Sequence, residues 1–407
     1  MLRSSDTRAQ SDSDKWHKYS GRNILPMWIA DTEFLAAPAI LDALQERLEH
    51  GVFGYGHRRQ RFLDAIKKHC HDQYGWHIED DWIQPLTGVV PGLNFSRAVA
   101  QLRGKNQAVM VEPVYPHLRK HPALLPGFTD RGSPCKQENG RWVPDFAALE
   151  ANISADTGLL LLCHPHNPIG RAYSDDELAR YAEIAQKHDL IVCSDEIHCD
   201  LTDPGAAYVP FASVSETCAM NSVTCVAASK AFNIAGLHTA AVFSKNPKLH
   251  AKIDRQLNTD EVAEPNVFAC IAAQAAFTKG GTWLDELRAY IFENKKAVRE
   301  FIKNEIPEIF AVPSNATYLL WLDCSKITED SNDLARFIRS ETGLYLTAGA
   351  IYGGNGRTFL RMNVACPRAT LDEALDRLEA GVTALLARQA LRTGAASATP
   401  AVVSPAA

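Results

Sequence analysis

Five short, nearly uninterrupted apolar runs punctuate the middle of the chain: 107–113 (QAVMVEP), 158–163 (GLLLLC), 190–196 (LIVCSDE), 223–229 (VTCVAAS) and 240–244 (AAVFS). Several are β-branched, and polar or turn residues bound them. Such runs read as strands buried on both faces, the condition of a sheet covered by helices on either side. A helix start lies between the second and third. Ser174-Asp175-Asp176-Glu177 has the form of a capping box, and Leu178, Tyr181, Ala182 and Ile184 follow at helical spacing. Strand, capped helix and strand make a βαβ unit, which predicts an α/β fold with a mostly parallel sheet. In such sheets ligands sit outside the carboxyl ends of the strands. The residues that follow each run are therefore the place to look for function.

The chain has 407 residues, more than the roughly 250–300 at which single cores usually split. The pattern predicts a large α/β domain over 46–284. A smaller α+β domain over 285–390 takes in part of the N-terminal segment 1–45. Within the smaller part, 283–306 reads as one long amphipathic helix, and 318–324 and 358–365 as strands. Residues 1–20 are polar and read as a loosely ordered arm. Residues 391–407 are poor in charge and lack aromatics, so they read as a disordered tail. Hydrophobic residues make up 46% and charged residues 22%, as in an ordinary globular protein able to bury a core. The net charge of -6 argues against a nucleic-acid partner. The polar start lacks an apolar signal core, and no apolar run reaches the roughly 18 residues of a membrane helix. No membrane partner and a cytoplasmic location are expected. Ten cysteines, none in a C-x-x-C pair, read as buried free thiols in a reducing compartment.

Three strand ends carry unusual polar groups. Asn167 follows the second run, Asp195 closes the third, and Ser229-Lys230 follows the fourth. Singly, each has an ordinary explanation: a solvated loop lysine, a helix-capping aspartate, an Asn-Pro turn. If the strands are neighbours, the amine, carboxylate and amide converge at one rim, and pyridoxal 5′-phosphate (PLP) chemistry asks for that set. A lysine must form an imine and then act as a base, which requires a destabilised ammonium. A carboxylate must face the pyridine nitrogen so that the ring can take up electrons. A donor such as Asn must meet the ring oxygen, and backbone N–H groups at a helix start must hold the phosphate.

The ordered set resembles the fold-type I PLP enzymes, the aspartate aminotransferase superfamily, and within it the MalY/PatB-type cystathionine β-lyases. The resemblance runs from about Lys15 to Ala387. It is carried by KWHKY (15–19), PMWIADTEF (26–34), HGVFGYG (50–56), TGVVPGL (87–93), HPHNPIGRAYS (164–174), SDEIHCDL (194–201), ASKAFNIAGLH (228–238), ATYLLWLDC (316–324) and FLRMNVACPR (359–368). It implies the PLP-dependent transferase fold. It further implies Lys230 as the imine lysine and proton carrier, Asp195 on the pyridinium nitrogen, and Asn167 on the ring oxygen. His198 falls where a Tyr often meets that oxygen as well. Tyr115 would stack on the ring. Gly88, Val89 and Val90 would offer backbone N–H groups to the phosphate and Ser229 its hydroxyl. Tyr55 would reach the phosphate from a partner subunit, which implies a homodimer with shared active sites. Arg361, a guanidinium inside an apolar strand pattern, would take the substrate's α-carboxylate.

The sequence departs from the pattern in three places. His238 stands where many aminotransferases carry an Arg that pairs with the phosphate, a replacement in keeping with a lyase. Thr32 and Glu33 break the usual ADMDF of the branch at 30–34, which points to an altered substrate entrance. Two other groupings carry less weight. His69-Cys70-His71 resembles a metal pair only by composition, since neighbours on a helix face different ways. Gly353-Gly354-Asn355-Gly356 precedes a strand rather than a helix, so it fails as a dinucleotide loop and reads as a loop beside the site. The reaction implied is α,β-elimination of L-cystathionine or a related cysteine S-conjugate to a thiol, pyruvate and ammonia. The rivals are an aminotransferase on the same residues and a non-catalytic regulatory protein with this fold.

Overall fold

The computed structural model describes residues 2–4, 11–56, 60–93, 104–123, 127–138 and 140–397. The strands, in chain order, are β1 (Leu25–Pro26), β2 (Ile83–Leu86), β3 (Gln107–Glu112), β4 (Thr129–Glu138), β5 (Arg141–Pro144), β6 (Thr157–Cys163) and β7 (Ile191–Asp195). They continue as β8 (Ser222–Val226), β9 (Ala240–Phe243), β10 (Phe310–Ala311), β11 (Leu319–Asp323), β12 (Leu344–Tyr345), β13 (Thr347–Ala348) and β14 (Phe359–Asn363). All five apolar runs are strands of one eight-stranded sheet ordered β2, β9, β8, β7, β6, β3, β4, β5. Its centre, from β8 through β7, β6 and β3 to β4, is parallel. The outer pairs β2–β9, β8–β9 and β4–β5 are antiparallel.

The central runs are apolar throughout because both faces are covered. Alternate residues point to opposite sides of a strand. Leu159, Leu161, Ile191 and Cys193 join one buried cluster, whereas Leu160, Leu162 and Val192 join another. The helix Asp175–Lys187 that connects β6 to β7 begins with the full capping box, Ser174 and Glu177 each bonding the other's backbone. All ten cysteines are free and buried.

The register of the central strands sets where their carboxyl ends lie. Cys163 of β6 lies opposite Asp195 of β7, and Asp195 opposite Cys225 of β8. The three ends therefore finish level. A second sheet, ordered β10, β11, β14, β13, is antiparallel and packs with the long helix Gly281–Glu305 and the helix Arg368–Ser397. β1 pairs in parallel with β12, so the N-terminal segment is built onto this second layer.

Two sequence expectations need correction. Residues 11–20 are not a loose arm. Asp14–His17 is a short helix, and Lys15 is only 2% exposed. Its ammonium lies 3.1 Å from Asp31 and 2.6 Å from Glu33, so charge pairing anchors a segment that composition marks as soluble. The expected tail over 391–407 does not begin at 391, because the last helix continues to Ser397. Residues 398–407 lie outside the described residues, as do 1 and 5–10. No helix among the described residues is long and apolar enough to cross a membrane.

Removing one member of a buried ion pair strands the other charges, at a cost of roughly 3 kcal/mol. Loss of an N-cap hydroxyl costs about 1 kcal/mol. Lys15→Met is therefore expected to lower the urea midpoint clearly more than Ser174→Ala. Equal midpoints for the two variants would show that the N-terminal pairing contributes no stability.

Candidate active site

The level strand ends place their following residues around one cavity of about 590 Å³. Asn167 comes from the loop after β6, Asp195 from the end of β7, and Ser229 and Lys230 from the turn after β8. Tyr115 follows β3 on the same rim, and His198 follows β7. Gly88, Val89 and Val90 also line it, where β2 is followed by the short helix Val89–Gly92. Gly88 has an extended backbone (φ 161°, ψ 159°). Arg361 enters from β14 of the second sheet. Of the eleven residues to which the resemblance gives a cofactor- or substrate-binding role, the fold brings ten to this cavity. The exception is Tyr55, which is fully exposed and does not line its own chain's cavity.

The electrostatics follow from burial. Lys230 is partly buried, and its Nζ donates to the Ala30 carbonyl at 2.9 Å. Desolvation holds its proton affinity below that of an ordinary lysine. Asp31 opposes this, the Arg361 guanidinium adds to it, and Asp195 opposes it. Asp195 is 3% exposed and accepts from the Ile197 N–H at 3.2 Å. Burial pushes its carboxyl up to about 6, although the Ile197 N–H and Lys230 act against the shift. His198 is buried, and desolvation brings its ring down to about 3, helped by Lys230 and Arg361, so it is neutral. Burial raises the Tyr115 phenol to about 12. Arg361 is 5% exposed; its Nη1 donates to Asn167 Oδ1 at 3.1 Å and its Nη2 to the Trp28 carbonyl at 2.8 Å. The Tyr352 ring lies 5.1 Å from its guanidinium carbon.

Supporting groups hold these side chains still. His166 is buried, and desolvation lowers it to about 3, so its neutral ring has one donor and one acceptor. Nε2 donates to the Pro113 carbonyl at 2.8 Å, and Nδ1 accepts from the Tyr173 hydroxyl at 2.6 Å. The loops bearing Asn167 and Tyr115 are thereby tied together. Glu196, next to Asp195, accepts from Ser194 Oγ at 2.7 Å, from the Phe211 N–H at 3.1 Å and from the Tyr208 hydroxyl. These supports escaped the sequence reading. Their one visible signal was a polar residue beside Asn167 and beside Asp195 at the end of an apolar run. Tyr352 and Thr347, which also line the cavity, had no sequence signal.

The three departures from the family pattern fall in different surroundings. His238 lines the cavity in a left-handed conformation (φ 59°). Thr32 and Glu33 do not line it. Thr32 is fully buried, and Asn233 accepts from its N–H at 3.2 Å and donates to its carbonyl at 3.1 Å. Glu33 holds Lys15. His69 is turned inward onto Asp200 at 2.7 Å whereas His71 is exposed, so the two histidines share no site. The Gly353–Gly356 loop packs on Glu112, whose carboxylate accepts from the Gly354 N–H at 2.9 Å.

A buried carboxylate without a cation within ion-pair distance among the described residues needs a positive or donating partner. The ring nitrogen Nδ1 of the neutral His198 and the Nε of Arg361 are likewise buried without a hydrogen-bond partner there. A depressed lysine amine, a lone buried carboxylate, an amide and a turn of backbone N–H groups suit a planar, anionic heterocycle with a protonated ring nitrogen and an electrophilic carbon.

Comparison with known proteins bears on the same point. The chain is 36% identical to cystathionine beta-lyase PatB of Bacillus subtilis over 383 residues, covering 93% of this chain and 98% of that one. It is 30% identical to protein MalY of Escherichia coli, covering 88% and 91%. Among solved structures, cystalysin from Treponema denticola, which contains a pyridoxal 5′-phosphate cofactor, superposes with a TM-score of 0.88 at 28% identity, covering 94% and 98%. The sequence model of the family aminotransferase class I and II matches residues 28–378, so the chain belongs to the class I and II aminotransferase family.

Proposed function

We propose that the protein is a PLP-dependent carbon–sulfur lyase. It would eliminate the β-thiol of L-cystathionine or a related cysteine S-conjugate to give a thiol, pyruvate and ammonia. The observation that carries this reading is the convergence of Lys230, Asp195 and Asn167 on one cavity, with Arg361 joined to Asn167. The names of the most similar relatives support the carbon–sulfur assignment.

Lys230 would carry the covalent link to the cofactor. Asp195 would face its ring nitrogen, and the Asn167 amide N–H and the neutral His198 its ring oxygen. Tyr115 would cover the ring face. The backbone of 88–90 and the Ser229 hydroxyl would hold the phosphate. The bound cofactor supplies an electron-withdrawing ring that stabilises negative charge developing at the substrate's Cα. The protein's own residues do the rest. Arg361 fixes the α-carboxylate and so sets which Cα bond faces Lys230. With the substrate's amino group in its place on the cofactor, the released lysine amine, whose proton affinity burial and Arg361 lower, would accept the Cα proton. The Cβ–S bond breaks as the electron pair moves into the new Cα–Cβ double bond, and the ammonium now on Lys230 returns its proton to the departing sulfur. Water completes the conversion to pyruvate and ammonia.

We also propose a homodimer in which Tyr55 of each subunit completes the other's phosphate site. The exposed apolar side chains of Leu41, Leu48, Val52 and Phe53 near Tyr55 in the chain support it. A monomeric holoprotein in sedimentation would contradict it. The ten buried thiols support a reducing, cytoplasmic setting.

With cystathionine and no keto acid, the holoenzyme is expected to release pyruvate; no release would end the lyase reading. Lys230→Ala is expected to lose both pyruvate formation and the visible absorbance of the lysine-linked cofactor. Arg361→Leu should raise KM by about 100-fold, the scale of a lost charge-assisted pair. It should also move the acid limb of the pH–rate profile. The base must be neutral to accept a proton, and Arg361 disfavours the Lys230 ammonium. Removing that charge stabilises the ammonium, so the limb should shift to higher pH. A shift to lower pH would contradict the assignment.

A further inference from the structure

The cavity has a second charged zone that the elimination chemistry does not use. Asp14 and Lys120 both line it, and both are exposed at its mouth. Among the described residues, neither side chain has an ion-pair or hydrogen-bond partner, and they form no ion pair with each other. His117 stands on the same helix, Pro116–Ala123, three residues before Lys120 and therefore on the same face. Its ring centroid is 5.2 Å from that of Tyr115. The rim thus presents a positive group on one element and a negative group on another, with the apolar Ile29 and Ile351 also in the lining.

Both charges sit on anchored elements. Lys15, the residue after Asp14, is clamped by Asp31 and Glu33, and its carbonyl accepts from Trp28 Nε1 at 3.3 Å. Arg119, the residue before Lys120, pairs with Glu112, whose carboxylate also holds Gly354. Glu33 thus bears on the entrance at one remove, by fixing the helix that carries Asp14. Opposite charges that share a cavity without neutralising each other complement a ligand carrying both signs. Arg361, joined to Asn167, is the group assigned to the α-carboxylate, so Asp14 and Lys120 are left for the rest of the substrate.

We propose that Lys120 and Asp14 are specificity-determining residues for the leaving group, selecting cysteine conjugates whose departing thiol is itself an amino acid. Lys120, with His117, takes the distal carboxylate, and Asp14 takes the distal ammonium. This rests on the lyase reading and narrows its substrate class.

The test compares kcat/KM of the holoenzyme for three conjugates of matched length. L-Cystathionine carries both distal charges, S-(3-carboxypropyl)-L-cysteine only the carboxylate, and S-butyl-L-cysteine neither. Lys120→Ala should lower the ratio of the carboxypropyl to the butyl substrate by about 10-fold, through KM rather than kcat. Lys120→Arg should largely restore it. Asp14→Asn should lower the ratio of cystathionine to the carboxypropyl substrate by a similar factor. Ratios unchanged in Lys120→Ala and Asp14→Asn, in an enzyme that eliminates all three, would overturn the proposal and leave the lyase reading standing. A cofactor-loaded wild type that eliminates none of them would overturn the lyase reading itself.

Discussion

The structure depends on the level finish of three parallel strands. Because β6, β7 and β8 end in register, the side chains beyond them share one rim and one dry environment. Burial then does the electrochemical work. The same desolvation that makes the Lys230 ammonium costly makes the Asp195 carboxylate costly and the His198 ring neutral. A slip of one residue in any pair would turn these side chains to the opposite face of the sheet. The continuous apolar runs are thus the means by which the polar groups are aimed.

A second constraint closes the site from above. Segment 28–34 is fastened over Lys230 by bonds from several sources. Arg361 binds the Trp28 carbonyl, and Asn363 binds the carbonyls of Ile29 and Asp31, each at 2.6 Å. Asn233, in a left-handed conformation three residues after Lys230, donates to the carbonyls of Thr32 and Phe34. Lys15 binds the flanking carboxylates. Residues of β14, of the Lys230 turn and of the N-terminal helix therefore meet on one strip of backbone. Its Ala30 carbonyl accepts from the lysine amine.

Much of this was legible in the sequence, and the gaps have physical reasons. Apolar runs revealed the central strands because both faces are buried, and the Ser174 box revealed a helix because capping is local chemistry. β4 and β5 were illegible, since an edge pair alternates weakly and carries polar residues such as Lys136 and Gln137. The buried Lys15 was misjudged because its counter-charges lie sixteen and eighteen residues away, and composition sees only a polar stretch. The last helix outran its expected end because small residues such as Ala395 and Ala396 fit a helix as well as a tail. The set of Asn167, Asp195 and Lys230 was readable because its members close or follow the strands. His166 and Glu196 were not singled out because partners such as Pro113 and Phe211 lie outside the motifs that carry them. The direction of Arg361 was visible as a charge amid apolar neighbours, but its contact with Asn167 joins two sheets that sequence leaves unrelated.

A crystal structure of the holoprotein tests the central claim most directly. The account predicts continuous density from Lys230 Nζ to the cofactor, an Asp195 carboxylate oxygen within hydrogen-bond distance of the ring nitrogen, and the Asn167 amide on the ring oxygen. A cofactor seated elsewhere, or one whose ring nitrogen faces away from Asp195, would contradict it.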